Sequence, residues 1–208
     1  MNPRPVSPLF ILGLLASPLS LADEDRVVRE YQFTLEDISE IEIEGSVGEM
    51  QFEPGSNHEI RLVLEIEGDD GGWFRRSKDV SEVELESRIR GDRLILSQTE
   101  KKTNTTWRIL LPAVARTRVQ FGVGEINGEF GATALDIHLG VGEVDIELPL
   151  KSTGDIDLSV GVGDASVHGG MDVDEDRTLV SQKVRARGKG SFDLRIDLGV
   201  GDIDVDLQ

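Results

Sequence analysis

Ile137-His138-Leu139-Gly140-Val141-Gly142-Glu143-Val144-Asp145-Ile146-Glu147-Leu148 is the stretch that decides the architecture of this chain. Up to Val141 the apolar residues hold odd numbers, and from Val144 onward they hold even ones. Strict alternation is the signature of a strand with one buried face. A slip of one residue would carry the second half to the wrong face unless a bulge or corner absorbs it. Glycine supplies the positive φ that such a corner commonly uses. The sequence therefore predicts two short strands joined by a bend at Gly142-Glu143, with Ile137, Leu139 and Val141 in the buried set.

The unit recurs. Val119 and Phe121 precede Gly122-Val123-Gly124-Glu125, and Ile126 follows; Leu158 and Val160 precede Gly161-Val162-Gly163-Asp164, and Ala165 and Val167 follow. Ile196 and Leu198 lead into Gly199-Val200-Gly201-Asp202, then Ile203 and Val205. Upstream, Ile41 and Ile43 lead into Ser46-Val47-Gly48-Glu49, then Met50 and Phe52, with Ser46 in place of the first glycine. Counted on the second glycine the steps are 76, 18, 21 and 38. The last is close to two units of nineteen, so a degenerate copy is expected between Gly163 and Gly201. A period near nineteen with one bend per unit predicts an all-β chain, a β-solenoid or β-helix-like stack of short strand pairs. A β-sandwich or meander is the alternative, because sequence does not separate parallel from antiparallel stacking. The calcium-binding nonapeptide code does not fit, since here an acid follows glycine directly and the next position is apolar.

Residues 1–22 follow a different logic. Arg4 precedes the apolar run Leu9 to Leu15, followed by Pro18, Ser20 and Ala22, which is the pattern of a secretory signal peptide cut after Ala22. The remainder, 23–208, is read as one all-β domain, with a less regular part over 23–112 and the Gly-Val-Gly-acid repeats over 113–208. The chain contains no cysteine. That removes disulfides, thiolate metal sites, a cysteine nucleophile and the lipidated cysteine of a lipoprotein. A periplasmic or secreted location is expected.

Without Arg4, 21 Lys and Arg face 40 Asp and Glu, a formal charge of −19. Such a surface repels phosphate backbones and anionic lipid, which argues against nucleic acid and against direct membrane insertion. Cations and cationic partners remain. Solubility alone also accounts for many surface acids.

The order of these features resembles the bacterial putative-adhesin domain family of unknown function. The resemblance rests on the leader, a first strand pair over Ile41 to Phe52, a strand from Trp107 ending at Pro112, and the successive Gly-x-Gly-acid pairs. It implies a β-helix-like solenoid in an envelope setting, with an unidentified envelope protein or surface polymer as partner, and brings no catalytic residues.

If the copies stack in register, Glu49, Glu125, Glu143, Asp164 and Asp202 share one corner, about 4.8 Å apart. Glu125, Glu143, Asp164 and Asp202 are then candidate ligands for a divalent cation such as calcium. Calcium normally draws six or more oxygens, and corner acids can instead accept from their own backbone N–H groups. No other cofactor is expected. Trp73, Phe74, Arg75 and Arg76, after Asp69-Asp70-Gly71-Gly72, form a candidate recognition tip, since Trp and Arg are favoured at binding hot spots. The same aromatics would serve equally as a cap over an open sheet end. His138 and His168 fall on outward phases where other copies carry ordinary polar residues. No acid pair stands out as a glycosidase site and no nucleophile has a base beside it, so a non-catalytic interaction or scaffold module is expected.

Overall fold

The computed structural model describes residues 25–56, 58–69, 78–178 and 180–208. The predicted leader and the Trp73 to Arg76 tip lie outside them. Every regular element among the described residues is a strand: β1 (Arg26–Thr34), β2 (Glu40–Pro54), β3 (Glu59–Gly68), β4 (Glu86–Arg90), β5 (Arg93–Gln98), β6 (Thr103–Leu111), β7 (Arg116–Glu129), β8 (Ala134–Leu148), β9 (Thr153–Val162), β10 (Ala165–His168), β11 (Met171–Arg177), β12 (Gln182–Arg187) and β13 (Phe192–Leu207). They form one mixed sheet with the path β1-β3-β6-β2-β7-β8-β13-β9-β12-β11. Strand β10 pairs with β13, and β5 pairs with β2 and β4.

The four longest strands, β2, β7, β8 and β13, carry the repeat and lie parallel and in register. Gly48, Gly124, Gly142 and Gly201 stand side by side, as do Glu49, Glu125, Glu143 and Asp202. The bend falls where the parity slip placed it. Before it Ile137 and Leu139 are buried; after it Val144, Ile146 and Leu148 are. The second glycine of each copy has φ between +133° and +145°. Strand pairing nonetheless runs on through the corner, because neighbouring strands turn together there. The repeats in β2, β7, β8 and β13 are thus each one bent strand, whereas the copy at Gly161 to Asp164 is split into β9 and β10. The segments before the bend make a first wall, those after it a second, and their inward side chains join in one apolar cluster.

Two expectations are corrected, one rung went unread, and the solenoid is not confirmed, the open mixed sheet being compatible with the sandwich or meander alternative. By number the central valine falls in the same set as the buried apolar residues before the bend, yet Val47, Val123, Val141, Val162 and Val200 are exposed at 42–49%. The three-residue corner uses up the phase there, and the valine stands on its outer edge. Among the described residues between Gly163 and Gly201 there is no further parallel copy. That stretch forms β11 and β12, antiparallel to each other and to β9. A sixth rung went unread in β5 and β6, which pair parallel with the two halves of β2, with Thr105 opposite Gly48. Thr105 lies nineteen residues before Gly124, but residues 99–102 replace the Gly-Val-Gly corner. Its hydroxyl donates to the Val47 carbonyl and accepts from Trp107 Nε1.

Finally, the strands do not stack in chain order as a plain solenoid requires. Strand β13 lies between β8 and β9. On the first wall this order alternates the charges. Glu42, Arg118, Asp136, Arg195, Asp157, Arg185 and Asp174 stand opposite one another in turn on β2, β7, β8, β13, β9, β12 and β11. Direct pairing of β8 with β9 in this register would set Asp136 against Asp157, and like charges directly opposite are destabilising. Inserting β13 puts Arg195 between them.

Candidate functional site

The two walls present different outer surfaces. On the first wall the acids are paired. Glu40 meets Arg93 and Arg118, and Glu42 meets Arg93 at 3.0 Å. Asp136 lies 3.9 Å from Arg118, and Asp157 lies 3.9 Å from Arg195. Asp155 is bridged by Arg187 at 2.7 Å. Burial pushes the Glu40 carboxyl up, but hydrogen bonds from Arg93 and Arg118 outweigh it and hold it below the ordinary carboxylate value. The hydrogen bond to Glu40 in turn raises Arg93.

The second wall is acidic with little compensation. Its outward phase carries Glu49 and Glu53 on β2, Glu125 and Glu129 on β7, Glu143, Asp145 and Glu147 on β8, and Asp202, Asp204 and Asp206 on β13. In-register pairing sets Glu125, Glu143 and Asp202 in one row, Asp145 and Asp204 in a second, and Glu129, Glu147 and Asp206 in a third. Strand alternation forces this arrangement, because inward positions are taken by Ile126, Val144, Ile146, Ile203 and Val205. Among the described residues none of these acids makes an ion pair with Lys or Arg; Asp204 lies 3.3 Å from His168 Nε2. Adjacent rungs are about 4.8 Å apart, so the rows hold like charges opposite one another, a destabilising arrangement by itself.

The structure brings together the corner acids that the repeat singled out. Glu125, Glu143 and Asp202 are adjacent, exposed and in register. Asp164 joins the end of the row, where its N–H donates to Asp202 Oδ1 at 3.0 Å and its carboxylate pairs with Arg177. Glu49, at the other end, accepts from Asn127 Nδ2 at 3.1 Å. Among the described residues no group of three or more His, Asp or Glu side chains converges as a metal site would. A row along a flat wall presents oxygens side by side rather than around a centre. The carboxylate rows beyond the corner were missed at the sequence level. Their signal was the run of acids two apart in two copies, Glu143, Asp145 and Glu147, and Asp202, Asp204 and Asp206.

His138 is exposed on the first wall, 3.2 Å from Asp136 Oδ1 and 3.5 Å from Asp197. It borders an open depression with Glu44, Thr99, Gln120, Phe121, Leu139 and Asp197. Among the described residues no helix is long and apolar enough to cross a membrane.

These features define a class: an all-β protein of parallel in-register rungs, with one charge-balanced and one acidic outer wall. No family model matches the chain, and no curated protein does. Among solved structures it is similar to a "putative cell adhesion protein" from Clostridium sporogenes, at 13% identity and a TM-score of 0.47 over 88% of this chain and 100% of that one. It is also similar to a "putative adhesin" from Bacteroides fragilis, at 12% identity and a TM-score of 0.30 over 89% of this chain and 98% of that one. A further "putative adhesin", from Parabacteroides merdae, has 9% identity and a TM-score of 0.27 over 87% of this chain and 96% of that one. Structural neighbours of the kind the sequence resemblance named are thus found, at low identity.

Proposed function

We propose that this protein is an exported, non-catalytic interaction or scaffold module of the bacterial cell envelope, and that its second wall engages cationic groups on an envelope protein or surface polymer. The observation that carries this reading is the contrast between the walls. The same chain pairs Glu40, Glu42, Asp136, Asp155 and Asp157 with arginines on one face, and among the described residues Glu125, Glu129, Glu143 and Asp206 on the other have no Lys or Arg partner. Solubility alone calls for no such segregation. A cationic partner would relieve the repulsion within the rows and gain from their summed field. Export rests on the leader read in residues 1–22, and the absence of cysteine argues against a lipid anchor. The stacked rungs would serve as a stiff, solenoid-like support for the wall.

Binding of fluorescent decalysine in low salt tests the reading. The combined variant E125Q, E143Q and D202N should weaken it by about tenfold or more, whereas neutralising Asp155 and Asp157 on the first wall should leave it within about twofold. Equal losses from both sets would reject the second wall as the binding face.

The second reading is a divalent-cation-dependent module for glycan or surface polymer. It is favoured by the adjacency of Glu125, Glu143 and Asp202, about one rung apart. Calorimetry on chelator-treated protein decides it: an absence of heat with millimolar calcium or magnesium removes it.

A further inference from the structure

Beside the corner acids runs an apolar row. Val47, Val123, Val141 and Val200 are in register on β2, β7, β8 and β13, and Val162 continues the row on β9. All five project from the outer edge of the bend and are 42–49% exposed. A β-branched residue suits an extended backbone, but threonine is β-branched as well and would be better solvated there. Each of five copies carries valine instead. Exposed apolar side chains in isolation are ordinary, whereas a contiguous row of them marks a contact surface.

We infer that this corner is a docking ridge for a basic amphipathic helix, an inference that rests on the proposed role of the second wall. Five rungs span about 19 Å, which a helix of about 13 residues covers. The helix pitch of about 5.4 Å drifts from the rung spacing by only about 2 Å over that length, so one apolar side chain per turn stays near one valine. With its apolar stripe on the ridge, such a helix turns one flank toward Glu125, Glu143 and Asp202. Lys or Arg on that flank complements the row. An extended strand has no comparable fit, because the corner offers no free backbone edge: each second glycine packs its neighbour's carbonyl.

The test uses two labelled probes of about 14 residues with identical Leu and Lys content. In one the leucines fall at helical spacing, and in the other they are scrambled; decalysine is the third probe. The intact protein should bind the amphipathic probe about tenfold more tightly than the scrambled one. Val123→Thr, Val141→Thr and Val200→Thr together should abolish that preference and leave decalysine binding unchanged. Val141→Thr alone should reduce the preference if the triple variant does not fold. Equal binding of both Leu-Lys probes by the intact protein overturns the ridge while the acidic wall stands. Failure of decalysine to bind overturns the wall itself.

Discussion

A Cβ on Gly142 would lie 1.7 Å from the Gly124 carbonyl oxygen on the neighbouring strand, closer than any side chain can come. The same relation joins Gly201 to Gly142 and Gly124 to Gly48. The corner is passed from strand to strand by backbone packed on backbone, and it needs glycine both for its φ of +145° and for the missing side chain.

Three alanine substitutions separate these causes. Gly142→Ala meets both and should cost about 3 kcal/mol or more. Gly91→Ala has φ +65° but open space around it and should cost about 1 kcal/mol. Gly131→Ala has neither obstacle and should stay within about 0.5 kcal/mol. Urea unfolding of the three variants checks the order; a Gly142→Ala cost no larger than that of Gly91→Ala would remove the packing argument.

Arg195 stands in register between Asp136 and Asp157. Arg195→Ala should cost less than about 1 kcal/mol, because the pair is largely exposed. Arg195→Asp sets three acids in a row and should cost about 1–2 kcal/mol, with the difference between the two variants shrinking in 1 M salt. A salt-independent difference would point to packing instead.

Gln98 is 2% exposed, and neither its Nε2 nor its Oε1 has a hydrogen-bond partner. It sits on the inward phase at the end of β5, opposite Gly45. Unsatisfied buried amide groups cost about 1–3 kcal/mol. Gln98→Met, of similar length, should therefore stabilise the protein by about 1 kcal/mol and raise Tm, as calorimetry would register. A loss of stability would mean that the amide holds a partner such as water.

Acid should loosen the first wall through Glu40. Its carboxyl is held below the ordinary value of 4.5 in the folded state. Between the two values the unfolded chain binds the extra proton, so stability rises with pH there. The contribution is complete above about pH 4.5 and is lost as pH falls through the lower folded value. Glu40→Gln should lower stability at pH 7 and flatten the acid limb of a stability-against-pH curve. An unchanged limb would assign acid sensitivity to other carboxylates.

Local pattern carried much of the fold. The period-2 alternation of Ile137, Leu139, Val144 and Ile146 specified strands, and its slip at Gly142-Glu143 located the bend. Identical spacing in each copy specified that Glu125, Glu143 and Asp202 would share a row. The sequence alone did not expose the valines, since parity counts residues and cannot tell how many of them a corner consumes. It also hid the β5–β6 rung, whose corner is built by residues 99–102 rather than by the motif.

Strand order was settled only in three dimensions. The copies in β7, β8, β9 and β13 have nearly interchangeable inward faces, so hydrophobic burial does not choose among their arrangements. What differs is outside: Asp136 and Asp157 carry like charge, and Arg195, distant in the chain, stands in register between them. Which charges face one another is set by the choice of neighbour and exists only once strands are side by side.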